Sequence, residues 1–186
     1  MAYNRRDLEL PDQLSGTALT RLEAIAPEGT GVTECRLHLG AVAMERGDLD
    51  KAQDLLQRAL PELEKMAPGS PEVALVFSNL GMIANERGNP AEERTWFERA
   101  LQIYERRSPN AKATADALDQ LATLLWAEGE RDTAERYWRR AVEIYQVQAP
   151  ESADYAHSLA ALARIEVGKG GAGSASRGAG SMISCQ

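Results

Sequence analysis

Few residues of this 186-residue chain have types and spacings that could do chemistry. His38 follows Cys35 by three positions and Glu34 by four, so one helix face would carry all three. A zinc site needs three or four ligands at recognisable spacing, and no second cluster completes one. Cys35 therefore reads as a small core residue. The other histidine, His157, lies near Asp154 and Tyr155 and is expected at the surface. Two scattered histidines support no Ser-His-Asp nucleophile. The Gly-rich stretch 168–180 lacks the Gly-Lys-Ser/Thr ending of a phosphate loop, and no strand precedes it. Glu92 and Glu93 read as a solvated pair on a helix exterior, and Trp96, Trp126 and Trp138 read as core rather than as a ligand cage. No catalytic residue, cofactor or metal is expected, and the chain does not read as an enzyme.

Composition narrows the classes further. Basic residues number 21 against 28 acidic ones, a net charge of −7, which argues against a nucleic-acid binder with its basic stripe. Apolar residues make up 44% but aromatics only 5%, which suits a core of alanine and leucine. No apolar run approaches the ~20 residues of a membrane span. The opening Met1 to Asp7 has no apolar stretch behind its charges, so no secretory leader is read. Cys35 and Cys185 lie at opposite ends, as expected in a reducing cytoplasm.

The elements that would carry any site are organised by a repeat. Pro27, Pro68, Pro109 and Pro150 are 41 residues apart, and Gly47, Gly88, Gly129 and Gly170 keep the same period. Leu39, Leu80, Leu121 and Leu162 are in step, as are Ala18, Ala59, Ala100 and Ala141. Between these markers the pattern is helical: Val73, Val76, Phe77, Leu80 and Ile83 recur at steps of three and four. Ser70-Pro71 opens that helix with a capping hydroxyl and a proline in the first turn. Gly88 closes it, and Asn89-Pro90 opens the next, which ends before Pro109. First helices are thus predicted near 31–46, 71–87, 111–128 and 152–167. Second helices are predicted near 49–66, 90–107 and 131–148, with an N-terminal one near 11–26. No segment alternates with period two, so the fold class is all-α.

The order large residue, Leu-Gly, turn, Ala, aromatic, Ala decides among helical repeats. Leu39-Gly40, Leu80-Gly81 and Leu121-Ala122 are followed by Ala52 and Ala134, by Leu56, Phe97 and Trp138, and by Ala59, Ala100 and Ala141. This resembles the tetratricopeptide repeat, in the long form found in kinesin light chains and bacterial tandem arrays. The unit exceeds the ordinary 34 residues by seven. The resemblance implies an α-solenoid, a right-handed superhelix of helix-turn-helix pairs stabilised by stacking neighbours. It divides the chain into an arm 1–10, a half unit 11–27, full units 28–68, 69–109 and 110–150, and a first helix 151–167. The remaining residues 168–186 hold six glycines and four serines and are expected to form a flexible tail.

Two residues depart from the pattern. Glu93 stands where Ala52 and Ala134 are small, so that helix pair is expected to splay or expose its edge. Pro61 falls inside a second helix, where it removes one hydrogen bond and crowds the carbonyl of Gln57, at ~3 kcal/mol unless a kink relieves it.

The resemblance implies a concave face lined by first helices, on which a peptide or partner protein is held. His38, Asn79 and Gln120 occupy one register position just before Leu-Gly, a polar ladder for a bound backbone; in the long-repeat relatives this place carries Asn, as only Asn79 does here. Glu34, Ser78, Asp116 and Asp119 flank the ladder, with Met82 and Thr123 further along and Met44, Asn85 and Trp126 deeper. The Lys and Arg of a carboxylate clamp are missing from these places. The expected partner is a basic or neutral protein segment with apolar anchors, with no nucleic acid and no membrane. Leu159, Leu162 and Ile165 on the last helix are incompletely covered, which makes self-association as a homodimer an alternative. A sensor arm of a larger signalling protein or protease is a third reading.

Overall fold

The computed structural model describes residues 16–26 and 29–179, with side chains as far as residue 168. Among the described residues there are eight helices and no strand. The described residues group into two compact units, one up to Arg107 and one from Ser108. The first holds α1 (16–25), α2 (Thr30–Glu45), α3 (Leu49–Met66), α4 (Pro71–Glu86) and α5 (Pro90–Arg107). The second holds α6 (Lys112–Glu128), α7 (Arg131–Gln148) and α8 (Ala153–Ala179).

Helix ends follow local chemistry. The Ser70 hydroxyl accepts the Val73 amide at 3.4 Å, and Asn89 Oδ1 accepts the Glu92 amide at 3.3 Å. Gly88 turns the chain from α4 into α5 at φ 66°, a left-handed value that side chains resist. Gly170, in the same phase, closes nothing: α8 continues through it to Ala179. The residues beyond it offer no apolar second helix to draw the chain back, so nothing forces a turn there. Residues 168–179, where a tail was expected, are helical, and 180–186, like 1–15, lie outside the described residues.

Within each pair the small residues permit close approach. A Cβ on Gly81 would sit 3.0–3.1 Å from three ring carbons of Phe97, so the ring occupies the space a side chain would need. Gly40 receives Leu56 in the same way. In the second unit Trp138 packs with Ala122, Leu125, Ala134, Ala161 and Ile165. In the first, Leu19, Val32, Leu39 and Leu55 form a cluster that Cys35 joins from a half-buried position.

Both departures from the repeat pattern are accommodated. Glu93 is buried rather than at an opened edge, and Asn85 Nδ2 donates to its carboxylate at 3.0 Å. The asparagine one turn before Gly88 supplies the donor that a buried carboxylate needs. Pro61 sits within an α3 that runs unbroken from Leu49 to Met66. Pro61 and Gln57 are both exposed, so the carbonyl freed of its amide partner lies on the solvent side.

Candidate peptide-binding face

The first helix of each pair carries the polar ladder. His38 is exposed, Asn79 and Gln120 are half-buried, and none of the three side chains hydrogen-bonds to another described residue. In the first unit, Asn79 lines a groove of about 330 Å³ together with Ala41, Met44, Glu45 and Met82. A second hollow of about 530 Å³ adjoins it, sharing Met44, Glu45 and Met82 and extending to Ile83 and Glu86. Met82 is 47% exposed although apolar. Leu75, one turn before Asn79 on α4, is 55% exposed. That leucine is absent from the sequence-based set because its register mates, Glu34 and Asp116, are acidic; its step of four from Asn79 was the available signal. Glu34 is exposed and Ser78 half-buried, and neither lines the groove.

The second unit treats its equivalents differently. Asp116 accepts from Lys112 Nζ at 2.7 Å and from the Tyr145 hydroxyl at 2.8 Å. Burial, then the Asp116 charge, pushes the Tyr145 phenol far above its usual range, so it remains a donor. Lys112 also reaches Asp154 at 3.1 Å; burial opposes its charge, but the two carboxylates outweigh that and raise its pKa. Asp119 is buried, accepts from Ser158 Oγ at 2.5 Å, and faces His157 Nδ1 at 3.1 Å. Both carboxylates, expected to flank the ladder, thus have partners within the chain, on α6, α7 and α8. His157 lies at the surface, as its position suggested, and its ring is engaged there by Asp119. Thr123 is exposed, and its hydroxyl donates back to the Asp119 carbonyl at 3.0 Å.

Of the deeper residues, Met44 reaches the groove. Asn85 is spent on Glu93, and Trp126 leans on Trp138 with ring centroids 5.8 Å apart. The last helix also needs correction. Ile165 is buried in the second unit's core and Leu162 packs partly against it. Of that trio only Leu159, at 41%, is exposed. The reason is the helical period: Ser158, Ala161, Leu162 and Ile165 share the face that α6 and α7 cover, whereas Leu159 lies roughly a quarter-turn beyond it, past Leu162.

Among the described residues no three His, Cys, Asp or Glu side chains converge as a metal site, and no helix is long and apolar enough to cross a membrane.

Antiparallel helices of 16–18 residues, paired around glycine and alanine, define an α-solenoid of helix-turn-helix units. Models of the tetratricopeptide repeat match residues 33–106 and 114–147. The chain belongs to the tetratricopeptide-repeat family, and its fold is that family's all-α solenoid. Among solved structures, BtubC (BKLC) from P. vanneervenii is similar with a TM-score of 0.72 at 22% identity, over 88% of this chain and 67% of that one. A Podosopora anserina putative kinesin light chain with nearly identical TPR-like repeats has a TM-score of 0.66 at 16% identity, over 93% and 84%. The Rap protein complexed with Competence and Sporulation Factor has a TM-score of 0.61 at 19% identity, over 75% of this chain and 38% of that one. A comparison with curated protein sequences finds no match.

Proposed function

We propose that this chain is a non-enzymatic protein-interaction scaffold that holds a partner's peptide segment on the first-helix face of its first unit. The observation that carries the reading is the groove between α2 and α4. Asn79 has donors and an acceptor unused by the described residues, beside a Met44–Met82 floor with Leu75 exposed one turn away. An amide at that place suits a peptide main chain, since it can donate and accept at once. Methionines suit an apolar anchor, because their unbranched chains adapt to different shapes. Glu45 and Glu86 on the groove's edge form no ion pair with the described residues, and they favour a basic or neutral segment. The Rap neighbour, crystallised as a complex with its factor, supports a binding role for this fold without identifying a partner here.

The test uses two fluorescein-labelled 12-residue peptides, one of alternating lysine and leucine blocks and one with glutamate replacing lysine. The Lys/Leu peptide is expected to bind the full chain saturably, with affinity reduced at least ~10-fold by Met82→Glu, about 1.4 kcal/mol. Asn79→Ala should weaken it less. Equal binding to wild type and Met82→Glu would refute the groove, and preference for the Glu/Leu peptide would refute the charge assignment.

A further inference from the structure

The repeat register shows three positions that are buried in the first helix of every complete pair. At one stand Thr33, Ala74 and Ala115, at the next Arg36, Phe77 and Leu118, and at a third Gly40, Gly81 and Ala122, where the second helix's large residue seats. All nine are buried. Their equivalents on α8 are Ala156, Leu159 and Ala163, and all three are exposed. Val167, one further turn on, is 77% exposed. α8 therefore has two apolar faces. One is buried through Ser158, Ala161 and Ile165, and the other meets solvent along Ala156, Leu159, Ala163 and Val167. Large contiguous exposed apolar patches mark interaction surfaces. No described residue folds back over the stripe, because α8 runs on to Ala179 without a turn.

The three complete pairs also show what such a face accepts. Gly40 takes Leu56 and Gly81 takes Phe97, with a Cβ added to either glycine meeting those side chains at 3.0–3.1 Å. Ala122 packs in one cluster with Trp138. In each second helix the large residue has Ala59, Ala100 or Ala141 three positions later, fully buried. Small residues four before and three after the knob let the two backbones come close, as at Ala134, Trp138 and Ala141.

We propose that the outer face of α8 is a docking site for an amphipathic helix supplied by a partner, carrying a large apolar side chain between alanines so that it seats on Ala163. The interface would continue the pairing already present three times in the chain, with Leu159 and Val167 flanking the seat. Glu166, paired with Arg139 at 3.2 Å, bounds it on one side. The surface is separate from the α2–α4 groove, so the two readings stand or fall independently.

A labelled 18-residue peptide with the α7 sequence, Arg131–Gln148, is the probe, titrated against the full chain by fluorescence anisotropy. Saturable 1:1 binding is expected. It should weaken at least ~10-fold when the peptide's Trp138 is replaced by Ala, and likewise with Ala163→Arg in the full chain. Ala163 is exposed, so that variant should keep the wild-type melting temperature and helical circular dichroism; Leu159→Arg is the second variant should it not. Absence of saturable binding, or binding that neither Ala163→Arg nor Leu159→Arg weakens, overturns the proposal. A dimer of the chain in sedimentation that Ala163→Arg dissociates, without peptide binding, overturns it in favour of a second copy as the occupant.

Discussion

Replacing Asp119 by alanine separates a structural carboxylate from a ligand-binding one. The Asp119 side chain is buried, and the Ser158 hydroxyl that donates to it is fully buried too. Removing the acceptor leaves that hydroxyl without a partner, at a cost of about 1–3 kcal/mol. The His157 contact adds little, because the imidazole is 46% exposed and water screens it. The expected loss is therefore about 2 kcal/mol, concentrated where α8 docks on α6. Because a solenoid can open one helix at a time, the assay pairs urea denaturation with amide exchange of α8. Asp119→Ala should accelerate exchange across 153–167 more than across α6. Adding Ser158→Ala should recover about 1 kcal/mol, since the orphaned hydroxyl is then gone. The reasoning fails if Asp119→Ala lies within ~0.5 kcal/mol of wild type, or if the second substitution simply adds to the first. Lost peptide binding at unchanged stability would return Asp119 to the groove.

Gly81→Ala should destabilise by about 1 kcal/mol in urea denaturation. Helix propensity gains ~0.5–1 kcal/mol, but crowding a buried ring costs ~1–3. Gly40→Ala should be closer to neutral, because the flexible Leu56 can shift where Phe97 cannot; equal effects would refute this. The hydrogen bond from Arg36, reinforced by the Arg58 and Arg36 charges, holds the Glu23 carboxyl below its ordinary 4.5. A lowered folded-state pKa means its contribution is present above pH 4.5 and is lost as pH falls through the folded value. Glu23→Gln should therefore lower the melting temperature at pH 7 and flatten its decline below pH 4.5, and an unchanged acid limb would contradict it. Five glycines fall within 168–179, each ~1 kcal/mol worse than alanine in a helix. Amides of 170–179 should accordingly exchange within seconds while those of 158–165 are protected, and uniform protection along α8 would show otherwise.

What the sequence alone could determine was everything carried by a local period. The second helices predicted at 49–66, 90–107 and 131–148 are Leu49–Met66, Pro90–Arg107 and Arg131–Gln148 in the structure. Glycine turns, serine and asparagine caps and the spacing of leucines act within a few residues, so a single strand of text contains them. The small-residue slots were legible for the same reason: Gly81 and Ala100 mark a crossing wherever their helix lies. Tertiary structure alone decided which polar groups were free. Asp119 takes the register place of Ser78, and Asp116 that of Glu34 and Leu75, yet beyond the local Lys112 pair their carboxylates are engaged by residues 29 to 39 positions away, Tyr145, His157 and Ser158. Glu93 found Asn85 across a turn, and Ile165 found a core that Leu159, six residues earlier, turns away from. A helical period says that two faces exist. Which face is covered, and which carboxylate is neutralised, depends on the side chains that neighbouring helices bring within hydrogen-bonding reach, and that is set only when the helices pack.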